Sequence, residues 1–305
     1  MNQDVRELKG SCLKRQGGKG VVANNLVHHF PKAKLYLEPF MGALSIFYAL
    51  PQGMYPHYAV NDLDSALTLF FRVLRTRTEE LIQVCELTPY SRDEFAACLE
   101  PSEDELEEAR RVWVRSRQGF ADAATSVGNW GRSDAVTWNP GKAENKLQAF
   151  RSYAERLRNV AIDNVPALEF IEKWAVPDSF VYCDPPYAPE SRRCDTYEHE
   201  MTTEDHRKLA ERLHQVVAKG SKVAISGYPS KLYDEELFKD WRRVEFDTAF
   251  SGSMKKDGSE RRTEVLWMSY PASDELQRGY QPTPRATNPR EKKLLKALQN
   301  QGKVR

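Results

Sequence analysis

The chain has 305 residues, with 45 Lys and Arg against 44 Asp and Glu, so its formal net charge is +1. This balance excludes a strongly basic nucleic-acid-binding protein, and any surface for nucleic acid must be local. The 5 Cys residues form no Cys-x-x-Cys pair, the N-terminus is polar, and no apolar run approaches ~18 residues. We therefore expect no zinc site, signal peptide or membrane span, and a reducing, cytoplasmic location.

The first predicted elements are a strand at 35–38, a turn containing Gly42, and an apolar helix. Such a turn commonly cradles a nucleotide-like ligand in α/β proteins. A second strand at 58–61 precedes Asp62, about 20 residues after the first, the spacing at which an acidic residue binds ribose hydroxyls. The alternative is that Asp62 is only the N-terminal charge of the next helix.

Residues 76–152 lie between the two halves of the predicted sheet and are mostly helical by pattern. Ser102-x-x-Glu105 predicts a capping box at the start of one helix. A loop rich in Gly, Asn and Trp follows. Side chains here are candidates for reading bases, with surface salt bridges and turn positions as the alternative. These candidates are Arg115, Arg117, Asn129 and Arg132.

A predicted strand at 180–183 ends in Asp184-Pro185-Pro186-Tyr187, the most informative stretch of the chain. Two prolines neither extend a strand nor open a helix, so the backbone leaves the sheet edge stiff, with its carbonyls free. Asp184 and the Pro185 carbonyl can each accept one N–H of an exocyclic base amino group, while Tyr187 stacks on the base. Such a base must first be flipped out of its duplex, at ~ a few kcal/mol. The alternative is a stiff strand exit with a solvated Asp.

The last predicted elements are a helix that starts at Thr202 with Asp205 and ends at Gly220, and strands at 222–226, 243–250 and 263–269. Alternating strands and helices predict a parallel sheet, with the last two strands as an antiparallel edge pair. Four basic residues beside the turn between those strands are candidates for contacting phosphate, or form a solvated face. They are Lys255, Lys256, Arg261 and Arg262.

These motifs, in this order, resemble the D12-type (Dam-like) DNA adenine N6-methyltransferases. Residues 13–19 are similar to the family's Lys-aromatic-x-Gly-Gly-Lys segment, and 36–45 to its Glu-Pro-Phe-x-Gly-x-Gly-Ser motif. Residues 58–64 resemble its second strand, and 184–187 match its catalytic motif. The resemblance covers about residues 10–75 and 155–270. Arg15 stands where the family has an aromatic residue, and Leu44 replaces the second motif glycine, which limits how closely the backbone approaches a ligand.

The resemblance implies S-adenosylmethionine as methyl donor, and from the cysteine pattern we expect no metal. It also implies the family's α/β methyltransferase sheet, mostly parallel with an antiparallel last strand, and a helical inserted recognition domain. We expect a discontinuous catalytic domain at 1–75 and 153–271, the insertion at 76–152, and a flexible basic tail at 272–305. The catalytic residues implied are Asp184, Pro185, Pro186 and Tyr187. The cofactor-binding residues implied are Arg15, Lys19, Glu38, Phe40, Gly42, Asp62 and Asp184.

The implied function is site-specific methylation of adenine N6 in double-stranded DNA after base flipping. We expect a monomeric bacterial or phage enzyme, associated with the nucleoid, with a cognate restriction endonuclease as a further partner. Methylation of cytosine N4 is the nearest alternative, although such enzymes more often carry Ser in place of Asp184. RNA adenine and protein glutamine are other planar amino substrates, typically served by Asn there. An inactive DNA-binding relative is the remaining alternative, favoured by Arg15 and Leu44.

Overall fold

The computed structural model describes residues 8, 10–14, 19, 22–119, 130, 147–191, 201–249 and 261–275. In this part of the chain the strands are β1 (Leu35–Glu38), β2 (His57–Asn61), β3 (Val160–Asp163), β4 (Ser179–Cys183), β5 (Lys222–Gly227), β6 (Arg242–Ala249) and β7 (Arg261–Met268). The α-helices are α1 (Ala23–Val27), α2 (Ser45–Ala49), α3 (Ser65–Thr76), α4 (Thr78–Glu86), α5 (Arg92–Ala97), α6 (Glu105–Gln118), α7 (Phe150–Leu157), α8 (Ala167–Trp174) and α9 (Thr203–Ala218). A π-helix spans Leu232–Leu237. None of the described helices is long and apolar enough to span a membrane.

The seven strands form one sheet in the order β3-β2-β1-β4-β5-β7-β6. The first five are parallel, whereas β7 runs antiparallel to both β5 and β6. This confirms the predicted mostly parallel α/β sheet with an antiparallel pair at one edge. From β1 the chain proceeds outward to β2 and β3, then returns to place β4 on the other side of β1. Ligands bind at such a reversal, beyond the carboxyl ends of the strands.

Side chains that alternate along the strands fill two cores, one on each face of the sheet. Tyr36, Phe180 and Tyr182 point to the core formed with α1, α2, α3, α6 and α7. Leu37, Val181 and Cys183 point to the opposite core, formed with α8, α9 and the π-helix. Burial on both faces is what parallel strands with helical crossovers require. Helices α4, α5 and α6, which lie between β2 and β3 in the chain, share the first core, so they are fixed relative to the sheet.

Two local expectations at helix starts had different outcomes. Thr202 and Asp205 form the predicted capping box at the start of α9. The Ser102–Glu105 capping box was wrong, because Asp104 is the N-cap of α6 and accepts from the Glu107 backbone N–H at 2.8 Å. Ser102 instead accepts from the Asp104 N–H, one turn ahead of the helix. A carboxylate at the cap also favours the positive end of the helix dipole, which explains why Asp104 is preferred to Ser102.

Candidate active site

Three acidic residues lie at the carboxyl ends of three neighbouring strands. Glu38 ends β1, Asp62 directly follows β2, and Asp184 directly follows β4. Glu38 is only 2 % exposed, and its Oε2 accepts a hydrogen bond from the Tyr36 hydroxyl at 2.9 Å. Burial holds the pKa of the Glu38 carboxyl well above its ordinary value, and Asp184 and Asp62 raise it further while the Tyr36 bond opposes the rise. Positive charge or hydrogen-bond donors brought to this edge by a ligand would offset the repulsion that Asp184 and Asp62 exert on Glu38.

The glycine turn after β1 is tied to the end of β2. Gly42 has a φ of 45°, and its N–H donates to Asp62 Oδ2 at 2.9 Å. Asp62 Oδ1 accepts from the Asp64 N–H at 3.1 Å, and Asp64 is the residue that caps α3, accepting from the Leu67 N–H. Asp64, and not Asp62, is therefore the N-cap of α3. Asp62 stays beside the turn where a ribose was predicted.

Leu44, the residue that replaces the family's second motif glycine, has a left-handed backbone, with φ 56° and ψ 29°. For a branched side chain this conformation costs on the order of 1–2 kcal/mol. The Leu44 side chain is fully buried in the first core, which contributes ~1.5–3 kcal/mol in return. The substitution therefore keeps the turn that a glycine would form and anchors it by packing.

Asp184 leaves the buried strand β4 with 21 % of its side chain exposed. Its Oδ1 accepts a hydrogen bond from Ser226 Oγ, at the end of β5, at 3.0 Å. Ser226 Oγ in turn lies 2.8 Å from the Tyr182 hydroxyl. Two adjacent strands thereby fix the orientation of the carboxylate. Pro185 is buried and Pro186 half-buried, so the backbone after Asp184 is stiff where the motif predicted it.

A buried lysine joins Asp184 to a second carboxylate. Lys19 Nζ lies 2.8 Å from Asp184 Oδ1 and 2.7 Å from Glu264 Oε1. Lys19 also donates to the Tyr187 hydroxyl, which lies 3.1 Å from both oxygens of Glu264. Although burial lowers it, the two carboxylates hold the pKa of Lys19 well above its ordinary value. We call these four residues, Lys19, Asp184, Tyr187 and Glu264, the lysine cluster.

The sequence predictions missed Glu264 and assigned Lys19 to the cofactor. A signal for Glu264 was present, because it is an acidic residue directly before the apolar run at 265–268 of a predicted strand. Its side chain is 5 % exposed, and burial raises its pKa while Lys19 opposes the rise. A buried carboxylate requires a partner, and only the fold identifies that partner as Lys19.

Tyr187 combines a ring at the site with a hydroxyl in the lysine cluster. The residue is 8 % exposed, and its ring meets the ring of Tyr228 edge-on, with centroids 4.3 Å apart. Both rings line a narrow cleft that has no room for a water molecule. The cleft is also lined by Ala188, Gly227, Ser230 and Tyr233. A planar base therefore requires these aromatic walls to move apart before it can lie beside Asp184.

Some of the remaining predicted residues lie in the described part of the chain and others lie outside it. Phe40 packs half-buried against the second core. Arg115 donates to the Cys98 carbonyl at 2.7 Å and pairs with Glu108, so it supports the helical region, while Arg117 lies in the last turn of α6. Arg261 and Arg262 begin β7, opposite Ala249 and Thr248. Outside the described residues are Arg15, Asn129, Arg132, Lys255 and Lys256.

The chain matches one family model and several known proteins. The model of the D12 class N6 adenine-specific DNA methyltransferase family matches residues 16–249. The chain is 28% identical over 273 residues to the type II methyltransferase M1.LlaDCHI of Lactococcus lactis, covering 83% of this chain and 93% of that protein. It is 27% identical over 241 residues to the DNA adenine methylase of Escherichia coli K12, covering 73% and 82% respectively. The type II methyltransferase M.MjaIII of Methanocaldococcus jannaschii is 25% identical over 254 residues, covering 73% and 87%.

Proposed function

Because the chain belongs to the D12 class of N6 adenine-specific DNA methyltransferases and is an adenine-specific DNA methyltransferase, we propose that Asp184 and Tyr187 act directly on the target adenine. The observation that carries this proposal is the position of Asp184, held by Ser226 and Lys19 at the point where the sheet reverses. Adenine methylation follows from the family, whereas the roles of individual residues are our proposal.

The family implies S-adenosylmethionine as methyl donor, and the residues at the sheet edge fit it. Its ribose offers hydroxyl donors and its sulfonium a positive charge, and the edge supplies the carboxylates of Glu38, Asp62 and Asp184. Gly42 leaves open space where a Cβ would be, so the turn allows close approach. We propose that Asp62 holds the ribose and that Glu38 with Phe40 and Gly42 lines the donor site.

The donor, when bound, supplies an electrophilic methyl group on a positively charged sulfur. Asp184 and the Pro185 carbonyl each accept a hydrogen bond from one N–H of the amino group of the flipped adenine. These two bonds turn the N6 lone pair toward the methyl group. The N6 lone pair forms the new bond to carbon, the carbon–sulfur bond breaks with its electrons left on sulfur, and N6 then releases one proton to water. Asp184 stabilises the positive charge that N6 gains on the way.

We further propose the partners and the setting of the reaction. Double-stranded DNA is the substrate that the family implies, and the inserted region 76–152 contacts it with Arg117, Asn129 and Arg132. Arg115 supports that region through its ion pair with Glu108, and it adds positive charge to the surface that faces DNA. The enzyme acts as a monomer in the cytoplasm, with a restriction endonuclease of the same specificity as its functional counterpart.

The activity is tested on plasmid DNA from a host that lacks adenine methylation. Incubation with S-adenosylmethionine, followed by digestion to nucleosides and mass spectrometry, separates the expected N6-methyladenine from N4-methylcytosine. Sequencing with modification-sensitive reads then gives the recognition site. If DNA treated with the folded enzyme yields no methylated nucleoside, the proposed methyltransferase function is contradicted.

Replacing Asp62 by Ala is expected to weaken donor binding by ~1.5–3 kcal/mol, the range for hydrogen bonds to a charged group. Isothermal titration calorimetry with S-adenosylmethionine measures this. The matched control is Asp64→Ala, which removes the cap of α3 and is expected to lower stability by ~1 kcal/mol with donor affinity retained. Equal donor affinity in both variants would rule out a ribose contact for Asp62.

Neutralising two of Lys255, Lys256, Arg261 and Arg262 is expected to reduce the slope of log affinity for duplex DNA against log salt by ~1.8, because each phosphate contact contributes ~0.9. Fluorescence anisotropy at several salt concentrations gives the slope. Neutralising Lys32 and Lys34, just before β1, provides the control. A lower affinity with an unchanged slope would mean that the loop has a structural role instead.

A further inference from the structure

Glu264 is a buried acidic residue that no motif described above includes. It lies on β7, the middle strand of the antiparallel edge, between Thr263 and Val265. Its side chain is 5 % exposed, and its Oε1 lies 2.7 Å from Lys19 Nζ. The Tyr187 hydroxyl is 3.1 Å from each of its oxygens. Two donors therefore stabilise the ionised form of Glu264 against the burial that disfavours it.

The charges of the lysine cluster do not cancel. Lys19 is one cation facing two carboxylates, Asp184 and Glu264, so the cluster carries one net negative charge when both are ionised. The side chains of Lys19 and Glu264 are 4 % and 5 % exposed, whereas that of Asp184 is 21 % exposed. Asp184 is consequently the member of the cluster that presents the negative charge to a ligand.

The position of the Asp184 contacts supports the same conclusion. Lys19 Nζ and Ser226 Oγ both contact the Oδ1 oxygen of Asp184. Side chains from two distant segments thus hold the Asp184 carboxylate through the same oxygen. A lysine at 2.8 Å with no counter-charge would offset the negative charge of Asp184, and Glu264 prevents this by pairing with that lysine.

We propose that Glu264 is a positioning residue for methyl transfer, which neutralises Lys19 so that Asp184 keeps its negative charge toward the reacting amino group. The inference rests on the proposed function of Asp184 and extends it to a residue that touches neither adenine nor donor. The N6 nitrogen becomes positive as it bonds to the methyl carbon, and the net negative cluster stabilises that charge. Lys19 then holds Asp184 in place without cancelling the negative charge of Asp184.

The main test is Glu264→Gln, which keeps the shape of the side chain and removes its charge. The single-turnover rate of methylation is expected to fall about 10- to 100-fold, because the change weakens a polar contact at the reacting centre. Affinity for DNA is expected to remain as in the wild type. Glu245→Gln is the matched control, because Glu245 lies opposite Val265 on β6 but is 54 % exposed and paired with Arg243.

A binding measurement tests the charge without using turnover. S-adenosylmethionine carries a positive sulfur, and S-adenosylhomocysteine is the neutral product of the same shape. Calorimetry gives the affinity for S-adenosylmethionine divided by the affinity for S-adenosylhomocysteine. In Glu264→Gln this ratio is expected to be about fivefold lower than in the wild type, the effect of losing one nearby negative charge. Glu245→Gln is expected to keep the wild-type ratio.

The double variant Lys19→Met/Glu264→Gln removes both buried partners and leaves the charge of Asp184. Removing both members of a buried ion pair disturbs folding less than removing one. The double variant therefore tests the role of Glu264 even if the single variant does not fold. A wild-type affinity ratio in the double variant supports the proposal. An unchanged rate and ratio in folded Glu264→Gln, or a reduced ratio in the double variant, overturns it. Absence of transfer by the wild type would instead contradict the proposed function.

Discussion

Asp184→Ala is expected to lower kcat about 100-fold or more, since a preorganised polar contact at a reacting centre typically contributes that much. Removing the carboxylate takes away one of the two acceptors of the amino group and the charge that stabilises it in the transition state. Initial rates at saturating DNA and donor, measured by incorporation of labelled methyl groups, give the effect. A near-normal rate would mean that the motif is only a stiff strand exit.

The control for this variant is Asp163→Ala. Asp163 also lies at the carboxyl end of a strand, but β3 is the far edge of the sheet and Asp163 contacts Lys173 and Trp174. We expect its activity to match that of the wild type. With 2-aminopurine at the target position, Asp184→Ala should still give the fluorescence rise of a flipped base. Tyr187→Ala should flip the base less stably, because ~1–3 kcal/mol of stacking is lost.

Lys19→Met is expected to lower the free energy of unfolding by about 3 kcal/mol at pH 8, because it leaves Glu264 buried without its counter-ion. The deficit should shrink as the pH falls. Burial already raises the pKa of Glu264, and Lys19 opposes that rise, so the variant's folded state takes up a proton before its unfolded state does. Stability then increases as the pH falls through the raised pKa toward the ordinary value.

Urea unfolding at pH 8 and pH 5 measures this pH dependence. Lys173→Met serves as control, because Lys173 is 57 % exposed and its pair with Asp163 is a surface contact worth ~1 kcal/mol or less. A deficit of equal size at both pH values would show that Lys19 stabilises the fold through packing of its stem and not through its charge.

Much of the sheet was predictable because its strands are buried and sharply bounded. The first predicted strand matches β1 at both ends, and the other predicted strands differ from the observed ones by one or two residues. The one missed strand in the described chain, β3, has only four residues and is half-exposed after Val160. Neither apolar alternation nor a continuous apolar run therefore distinguishes it from a loop.

The candidate site was predictable only in part, for a different reason. Glu38, Asp62 and Asp184 lie at strand ends, so sequence position alone brings them to one edge. The contacts of Lys19 depend on packing between distant segments, which local patterns do not contain. For Tyr187 the sequence predicts a ring that stacks on the base, but no local pattern predicts the contacts of its hydroxyl with Lys19 and Glu264. Tyr187→Phe, which removes only that hydroxyl, is therefore a further probe of the lysine cluster.

The lysine cluster joins segments far apart in the chain, so it forms only after all seven strands have been synthesised. Lys19 precedes the first strand, whereas Glu264 lies on the last strand of the sheet. A nascent chain that has released β1 to β5 from the ribosome holds Asp184 but has no β7 to complete the site. Chains truncated before β7 therefore lack the carboxylate that pairs with Lys19. For the same reason, we expect two fragments divided between β5 and β6 to regain activity only when they reassemble.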